Sequence, residues 1–382
     1  MNFIRYFYLR FLYLLIGITH WQTSAQENAV GLIMEAEGNQ AYCPNSTLPI
    51  VTEFSILDPD TNEAPAIYIQ IVSGYNSAED QLQLLGMEAL FESSWNISEA
   101  KLSIRSKTGM PVPYSDIVLA VKNVVYTSSN PEPATDKTIA ITLGSANYLP
   151  STGHYYEYVS APNITWKQAR ERAKLNTYYG LRGYLASLGQ EDEAQLIGEL
   201  SPGVGWIGGS DEQTEGVWKW MDGPEAGTVF WNGLADGSSP NFAYWNESEP
   251  NNAGDEDYAH ITDISIGNLG AWNDLPNVTA TSGPFQAKGF LVEYGGMPGD
   301  PIVRNSASTQ IFIPRIQGIE NAAGCEGQVL TLTVDASTDQ LNWYDAPVGG
   351  NLIHTGGNYT NTFFEDQTFW LDWDDIGCSL PN

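Results

Sequence analysis

Hydrophobic and polar residues alternate along most of the first third of the chain. Ile67, Ile69 and Ile71 are separated by polar or aromatic residues, and the same period of two recurs at 139–143. Such alternation predicts half-buried β-strands. Pro, Gly, Asn and Asp residues separate the alternating runs, as they do in tight turns. We therefore predict an all-β sandwich over residues 47–146.

This first segment resembles the cadherin-like repeats of bacterial surface proteins. The resemblance rests on ILDPD at 56–60 and on DIVLAVKNVVY at 116–126, which precedes a proline-containing turn and a strand. It implies that Asp58 and Asp60 could hold a structural calcium ion. A plain turn is the other interpretation of the same two residues.

The pattern changes to a mixture of helices and strands over residues 147–296. Thr165 and Gln168 have capping-box spacing, and Trp166, Ala169 and Ala173 follow at helical spacing. A second helix is predicted around 190–200. Short aromatic strands are then predicted at 205–208, 217–220, 229–231, 258–261 and 289–294. Two helices followed by short strands predict an α+β module.

The last part of the chain returns to alternating strands. Residues 297–307 are predicted to be a linker by composition, and residues 308–382 a second all-β domain. Cys325, Trp343 and Cys378 occur in the order typical of an immunoglobulin-like sandwich. The stretch from 343 to 357 resembles the Ig-like repeats of bacterial surface and secreted proteins, and a Cys325–Cys378 disulfide is the implied pairing in an oxidising compartment.

The first 25 residues have the features of an export signal. Arg5 and Arg10 precede a short apolar run, and small residues at 23–25 precede a predicted cleavage before Gln26. No later segment reaches the length of a membrane span. We expect the mature chain to be secreted or held at the cell surface, without inserting into a membrane.

The chain carries a net charge of −30, with 16 basic and 46 acidic residues. This charge disfavours nucleic acids and anionic membrane surfaces as partners. The acidic residues are concentrated in the middle module, where residues 220–287 contain ten Asp and Glu and no Lys or Arg.

Five side chains in this acidic stretch can each offer an oxygen to one hard cation: Glu249, Asn251, Glu256, Asn273 and Asp274. Calcium takes six to eight oxygen ligands and tolerates irregular geometry. His260 is the only softer candidate nearby and no Cys is present, which disfavours zinc and copper. The sequence therefore predicts a calcium site.

Residues 147–296 resemble a C-type lectin-like domain over their whole length. The matching motifs are YLASL at 184–188, WIGGSD at 206–211, GVWKWMDG at 216–223, WNESEPNN at 245–252, AWND at 271–274 and GFLVEY at 289–294. The resemblance implies calcium ligands at Glu249, Asn251, Glu256, Asn273 and Asp274, with Pro250 in a cis peptide bond. It also implies that Glu249, Asn251, Glu256 and Asn273 hydrogen-bond the sugar hydroxyls that complete the coordination.

The Glu-Pro-Asn order at 249–251, as opposed to Gln-Pro-Asp, resembles members that prefer mannose, glucose and N-acetylglucosamine. Two departures from the family pattern matter. Glu249 and Glu256 are one residue closer than in many sugar binders, so Asp255 or Asp257 could supply the third ligand instead. The family's two disulfides are also missing as pairs, with Ala173 and Val292 at one position and Tyr258 and Asn277 at the other.

We predict calcium-dependent glycan binding by an exported, adhesin-like protein that could act as a surface multimer. A protein-binding adhesion module with a purely structural calcium ion is the alternative. We predict no enzymatic activity, because the acidic residues fit a ligand role and the chain has no Ser/His/Asp or Cys/His constellation.

Overall fold

The structure is a computed structural model that describes residues 32–337 and 341–372. The predicted export signal and Cys378 lie outside these residues. The described chain consists mostly of β-strands, with three helices. None of the described helices is long and apolar enough to cross a membrane.

The first module contains twelve strands and one helix before residue 143, together with a strand that returns to it much later in the chain. The elements are β1 (Ile33–Glu37), β2 (Gln40–Ala41), β3 (Leu48–Pro49), β4 (Glu53–Leu57), β5 (Glu63–Ala64), β6 (Ala66–Ser73), β7 (Asp80–Leu84), β8 (Phe91–Asn96), β9 (Lys101–Ser106), β10 (Val112–Pro113), α1 (Tyr114–Lys122), β11 (Val124–Ser128) and β12 (Lys137–Thr142).

A six-stranded sheet and a three-stranded sheet share the core of this module. The six-stranded sheet has the order β2-β23-β12-β6-β9-β8, where β23 is Ser306–Phe312, and the other sheet has the order β3-β11-β7. Ile67, Ile69 and Ile71 of β6 are fully buried in a core that also contains Leu82 of β7. The alternation noted in the sequence therefore identifies the buried face.

The returning strand β23 corrects the predicted module order. It pairs antiparallel with β12 from Ile311 opposite Lys137 to Ser306 opposite Thr142. Residues 306–312 had been assigned to the linker and to the start of the Ig-like domain. The module between β12 and β23 is thus inserted into the first module, and one sheet holds both ends of the insertion.

Helix α1 corrects the prediction that the first module is all-β. Pro113 stands at its N-cap position, and Asn123 stands at its C-cap. Ile117, Ala120 and Val121 are buried on one side, where they join the apolar core. Burial of this face outweighs the weak helix preference of the β-branched residues in the segment.

Asp58 is part of a turn. Its Oδ1 accepts a hydrogen bond from the backbone N–H of Asp60 at 3.0 Å, and its Oδ2 accepts from the Thr61 hydroxyl at 2.7 Å and from the Tyr114 hydroxyl at 3.2 Å. These hydrogen bonds close the turn and tie it to Tyr114 of α1. The geometry agrees with the plain-turn interpretation of this residue.

The middle module runs through two helices and ten strands. The elements are β13 (Asn147–Leu149), β14 (His154–Ser160), α2 (Trp166–Ala173), β15 (Thr177–Tyr178), β16 (Leu181–Leu185), α3 (Glu191–Leu200), β17 (Gly205–Ser210), β18 (Val217–Trp220), β19 (Val229–Asn232), β20 (Tyr258–Ile261), β21 (Trp272–Leu275) and β22 (Gly289–Tyr294).

Both helices predicted for the middle module are confirmed. The Thr165 hydroxyl caps α2 by accepting from the backbone N–H of Gln168 at 3.2 Å. In return, Oε1 of Gln168 accepts from the backbone N–H of Thr165 at 3.3 Å. Trp166, Ala169 and Ala173 are the buried residues of this helix. The capping box therefore fixes the start of the helix as the sequence predicted.

The middle module packs directly on the first module. Val72 of β6 and Ala140 of β12 belong to the same buried cluster as Leu196, Ile197 and Leu200 of α3. The outer face of the six-stranded sheet is therefore covered by apolar side chains of the inserted module.

The last described part forms two small three-stranded sheets. Its strands are β24 (Ile316–Glu320), β25 (Gln328–Ala336), β26 (Asn342–Tyr344), β27 (Leu352–Thr355), β28 (Asn358–Phe363) and β29 (Trp370–Asp372). The sheets have the orders β24-β25-β28 and β27-β26-β29. Trp343 is buried with Val334 and Leu341 between them.

The predicted Cys325–Cys378 disulfide is not present in the structure. Cys325 is a free, exposed cysteine, and Cys378 lies outside the described residues. Cys43, by contrast, packs against the cluster around Trp343 and is disulfide-bonded. Cys325 is exposed, whereas Cys43 from the first module reaches the apolar core.

Candidate calcium and carbohydrate site

Two antiparallel strands form the base of the candidate site. β20 pairs with β21 so that Ala259 lies opposite Asp274 and His260 opposite Asn273. Asp274 is 0% exposed and Asn273 is 4% exposed. The strand pairing therefore holds both predicted ligands of the AWND motif below the surface.

A cluster of aromatic rings supports the loop before β20. The ring of Trp245 lies 4.8 Å from that of Trp218, 6.1 Å from that of Phe230 and 5.8 Å from that of Trp272, measured between centroids. Burial of such rings contributes strongly to packing. Trp245 thus packs beneath the loop.

The Glu249–Pro250 peptide bond is cis, as predicted. On its C-terminal side, the backbone N–H of Asn251 donates to Oδ1 of Asp274 at 3.1 Å, and the N–H of Asn252 donates to Oδ2 at 2.8 Å. The Asn251 side-chain amide donates to Oε2 of Glu249 at 2.6 Å. The buried aspartate therefore anchors the loop that carries the Glu-Pro-Asn motif.

Glu256 closes the loop from its other end. Its backbone N–H donates to Oδ1 of Asn252 at 2.8 Å, and its Oε2 accepts from the N–H of Ala253 at 3.0 Å. Glu256 is 9% exposed, whereas Asp255 is exposed and Asp257 is half-buried. Of these three acids, Glu256 is the one that lies on the Asp274 side.

The acidic side chains of the site repel one another. Burial, contact with Asp274 and the negative charges of Asp274 and Glu256 raise the pKa of Glu249 to about 8. Burial and the charge of Asp274 raise the pKa of Glu256 to about 7. Carboxylates held this close disfavour their own ionised forms. A divalent cation would remove that repulsion.

The donor set fits a calcium ion. Glu249 contacts Asp274 and lies within range of the charge of Glu256, Asn251 donates to Glu249, and Oδ1 of Asn273 is buried with no hydrogen-bond partner among the described residues. Unpaired buried acceptors are uncommon, because each loses its hydrogen bonds to water. Carboxylate and amide oxygens are the ligands that calcium prefers. His260 is fully buried, and burial lowers its pKa to about 4.

A second acidic group lies beside the first, and the sequence analysis missed it. Ligand atoms of Glu215, Asp255 and Asp257 lie within 4.8 Å of one another. Glu215 Oε1 accepts from the side-chain amide of Asn252 at 2.6 Å, so this group adjoins the Glu-Pro-Asn loop. Asp211 is 2% exposed and its Oδ1 has no partner among the described residues.

Apolar packing replaces one of the two absent disulfides. Ala173 and Val292 are both 0% exposed and lie in the same buried cluster. At the other position, Tyr258 stacks near Trp166 with 4.7 Å between ring centroids. Asn277 accepts the N–H of Lys167 at 3.0 Å in the first turn of α2.

Comparison with protein families assigns the C-terminal part of the chain. Residues 313–381 match the family "Ig-like domain CHU_C associated". The match begins directly after strand β23, which agrees with the pairing of that strand to the first module. The C-terminal part is therefore an Ig-like domain.

Curated relatives support a C-type lectin-like fold. Halomucin of Haloquadratum walsbyi is 32% identical over 263 residues, which is 66% of this chain and 3% of halomucin. C-type lectin domain family 4 member F of Mus musculus is 31% identical over 141 residues, 35% of this chain and 22% of that protein. The chain thus spans a small fraction of either relative. The chain has a C-type lectin-like fold in addition to its Ig-like domain.

Solved structures were also compared. The alignment with the mouse scavenger receptor C-type lectin carbohydrate-recognition domain spans 40% of this chain and 95% of that domain. The two sequences are 21% identical over it, and the TM-score is 0.27. The cadherin-like resemblance of the first module stays a prediction.

Proposed function

We propose that the protein binds carbohydrate through a calcium ion held by Glu249, Asn251, Glu256, Asn273 and Asp274. The observation that carries this proposal is the contact of Glu249 with Asp274, with the charge of Glu256 close to Glu249 and that of Asp274 close to Glu256. Burial and the charge of Asp274 raise the pKa of both Glu249 and Glu256, and residues 220–287 contain no Lys or Arg that could offset this charge. C-type lectin domain family 4 member F of Mus musculus supports a lectin-type function by sequence similarity.

Each proposed ligand has a defined support in this chain. Asp274 accepts from the backbone N–H groups of Asn251 and Asn252, so its carboxylate is held against the loop. Glu249 and Asn251 flank the cis-proline. Glu256 is preferred to Asp255 and Asp257 as the third ligand, because it is buried beside Asp274 while the other two group with Glu215.

The ion and the sugar would bind as one unit. Calcium takes six to eight oxygens, so two neighbouring sugar hydroxyls can complete a shell that these side chains leave open. A hydroxyl can donate one hydrogen bond and still offer lone pairs to a metal. The carboxylates of Glu249 and Glu256 would accept from the sugar, while the amides of Asn251 and Asn273 would donate to it.

The Glu-Pro-Asn order favours mannose, glucose or N-acetylglucosamine as the terminal sugar. We further propose that the protein is exported and acts as an adhesin-like module outside the cell. Shallow single sites bind weakly, so several linked copies would be needed for useful avidity.

A glycan array tests this function. The full chain should bind mannose-type glycans in calcium, and binding should vanish when a chelator is added and when free methyl mannoside is in excess. Binding to a protein ligand that is not inhibited by free sugar would instead favour an adhesion module whose ion is only structural. Sugar binding that survives chelation would contradict the proposed site.

A further inference from the structure

A cleft lies where the middle module, which is inserted into the first module, meets that module. Its volume is about 360 Å³, and it is lined from one side by Tyr75 and Ile97 and from the other by Glu199, Thr262 and Leu269, among others. Clefts of this size accommodate small organic molecules. None of its lining residues belongs to the candidate calcium site.

Glu199 supplies an unsatisfied charged group to this cleft. Its Oε1 accepts from the side-chain amide of Gln195 at 3.1 Å, while its Oε2 is buried without a partner among the described residues. Burial raises the pKa of Glu199 to about 7. A carboxylate with one buried, unpaired oxygen is costly unless a donor or a positive charge reaches it.

Thr262 supplies a second unsatisfied atom. It is 4% exposed, and its hydroxyl oxygen is buried without a partner among the described residues. A hydroxyl can both donate and accept hydrogen bonds. Two residues that each carry an orphaned polar atom thus line the same cleft, one at the end of α3 and one just after β20.

The charge of the residues that line the cleft determines which charge a ligand should carry. The residues that line it include no Lys, Arg or His, and Glu199 is its only carboxylate. Burial and the charge of Glu199 raise the pKa of Tyr75 to about 12, so its phenol stays neutral. The Tyr75 hydroxyl already donates to the carbonyl of Ile97 at 2.7 Å. The uncompensated charge is therefore negative.

The rim of the cleft is apolar. Ile97 is 56% exposed, Ile264 is 71% exposed and Leu269 is 43% exposed, and all three line the cleft. Exposed aliphatic side chains around one buried charge suit a ligand with a charged head and a short hydrocarbon part.

We propose that this cleft binds a small organic cation, a primary ammonium group carried on a short aliphatic chain. The ammonium group donates to Oε2 of Glu199 and to the hydroxyl oxygen of Thr262, and the chain packs on Ile97, Ile264 and Leu269. A neutral sugar hydroxyl would satisfy one acceptor but would leave the carboxylate charge uncompensated. A calcium ion would lack the further anionic oxygens that it requires.

Ligand-detected NMR and calorimetry on the full chain test this proposal, with n-butylammonium as the probe and n-butanol as its neutral counterpart. The titration is run with a chelator present and at about one pH unit above the pKa of Glu199, so that the carboxylate is ionised. Butylammonium should bind saturably and butanol should not. Equal binding of the two probes, or none by either, would overturn the proposal.

Three variants sharpen the test. Glu199→Gln removes the charge but keeps the shape and should weaken butylammonium binding at least tenfold, while Thr262→Val should weaken it less. Glu191→Gln, on the exposed side of the same helix, should change nothing. Unchanged binding in Glu199→Gln would overturn the proposal, provided that thermal melting shows the variant folded.

A further arm distinguishes two sources of the ammonium group. N-acetyl-lysine methylamide presents it as a protein side chain, whereas butylammonium presents it as a free amine. Tighter binding of the blocked lysine points to a partner protein, and tighter binding of the amine points to a metabolite. Either order supports the proposed cation, and failure of both probes contradicts it. The ammonium titrations are run with a chelator present, so their outcome does not depend on whether the glycan site binds calcium.

Discussion

The backbone N–H of Asn252 donates to Oδ2 of Asp274 at 2.8 Å, joining the Glu-Pro-Asn loop to the strand beneath it. Asp274 is completely buried, so this contact is shielded from competing water. Hydrogen bonds to a buried carboxylate are among the stronger ones in proteins. The same residue therefore shapes the loop and supplies a proposed calcium ligand.

Calcium should stabilise the chain through Glu249. In the wild type, calcium at about one hundred times its dissociation constant should add about 2.7 kcal/mol to the free energy of unfolding. Glu249→Gln should lose most of this gain, because the variant lacks an anionic ligand. Thermal melts with and without calcium measure the difference.

The matched control for this prediction is Glu247→Gln. Glu247 lies in the same loop, is exposed and has no hydrogen bond or ion pair described in the structure. It should keep the full calcium-induced rise in melting temperature. Equal losses in both variants would mean that calcium acts on the general negative charge of the loop.

Exchanging the motif should alter sugar preference. The double variant Glu249→Gln with Asn251→Asp reverses the order of acid and amide around Pro250 while keeping one carboxylate. It should still bind calcium but lose affinity for methyl mannoside relative to methyl galactoside. Competition assays with the two sugars measure the ratio, and an unchanged ratio would contradict the proposed role of these side chains.

The buried ion pair of the first module should be important for stability. Nζ of Lys137 lies 2.7 Å from Oδ2 of Asp80, with the two side chains 1% and 0% exposed. Lys137→Met leaves the buried carboxylate without its cation and should cost about 3–5 kcal/mol. Lys122→Met, which breaks a pair exposed to solvent, should cost about 0–1 kcal/mol. Urea denaturation of both variants compares the two costs.

The stability of the chain should fall as pH rises, in part because of Glu193. Burial and the charge of Glu293 raise the pKa of Glu193 to about 8 in the folded state, against a usual value of 4.5. The folded state therefore binds this proton more tightly, and the resulting stability is present below pH 4.5 and is lost as pH rises through about 8.

Glu193→Gln imitates the protonated carboxyl and should reduce this loss. The Tyr156 hydroxyl, which donates to Oε1 of Glu193 at 2.7 Å, can turn to accept from the new amide. Urea midpoints at about pH 5 and about pH 9 measure the effect, with Glu191→Gln as the exposed control on the same helix. If the stability of the wild type and that of the Glu193→Gln variant depend on pH in the same way, Glu193 does not cause the loss of stability at high pH.

The local features of the middle module could be predicted from the sequence. The strands Val217–Trp220, Tyr258–Ile261 and Gly289–Tyr294 have the predicted bounds, because alternation and aromatic residues determine them locally. The cap at Thr165 is likewise set by two neighbouring side chains. The cis-proline at 250 came from the family resemblance alone.

The relationships between distant parts of the chain could not be predicted. Ser306–Phe312 joins the first sheet by pairing with a strand more than 160 residues earlier, and nothing in its own alternation identifies that partner. Helix α1 depends on the burial of Ile117 and Val121 against the sandwich core. Cys43 packs on the C-terminal core, whereas the sequence analysis paired Cys325 by its order relative to Trp343.

A calcium titration with and without sugar tests the central claim most directly. Calorimetry of the full chain, freed of metal by a chelator, should detect saturable calcium binding that becomes tighter in the presence of methyl mannoside, because each ligand must strengthen the other if both share one coordination shell. Asp274→Asn should abolish both effects. If the wild type gives no heat with millimolar calcium, or if mannoside binds equally well without the ion, the proposed site is wrong.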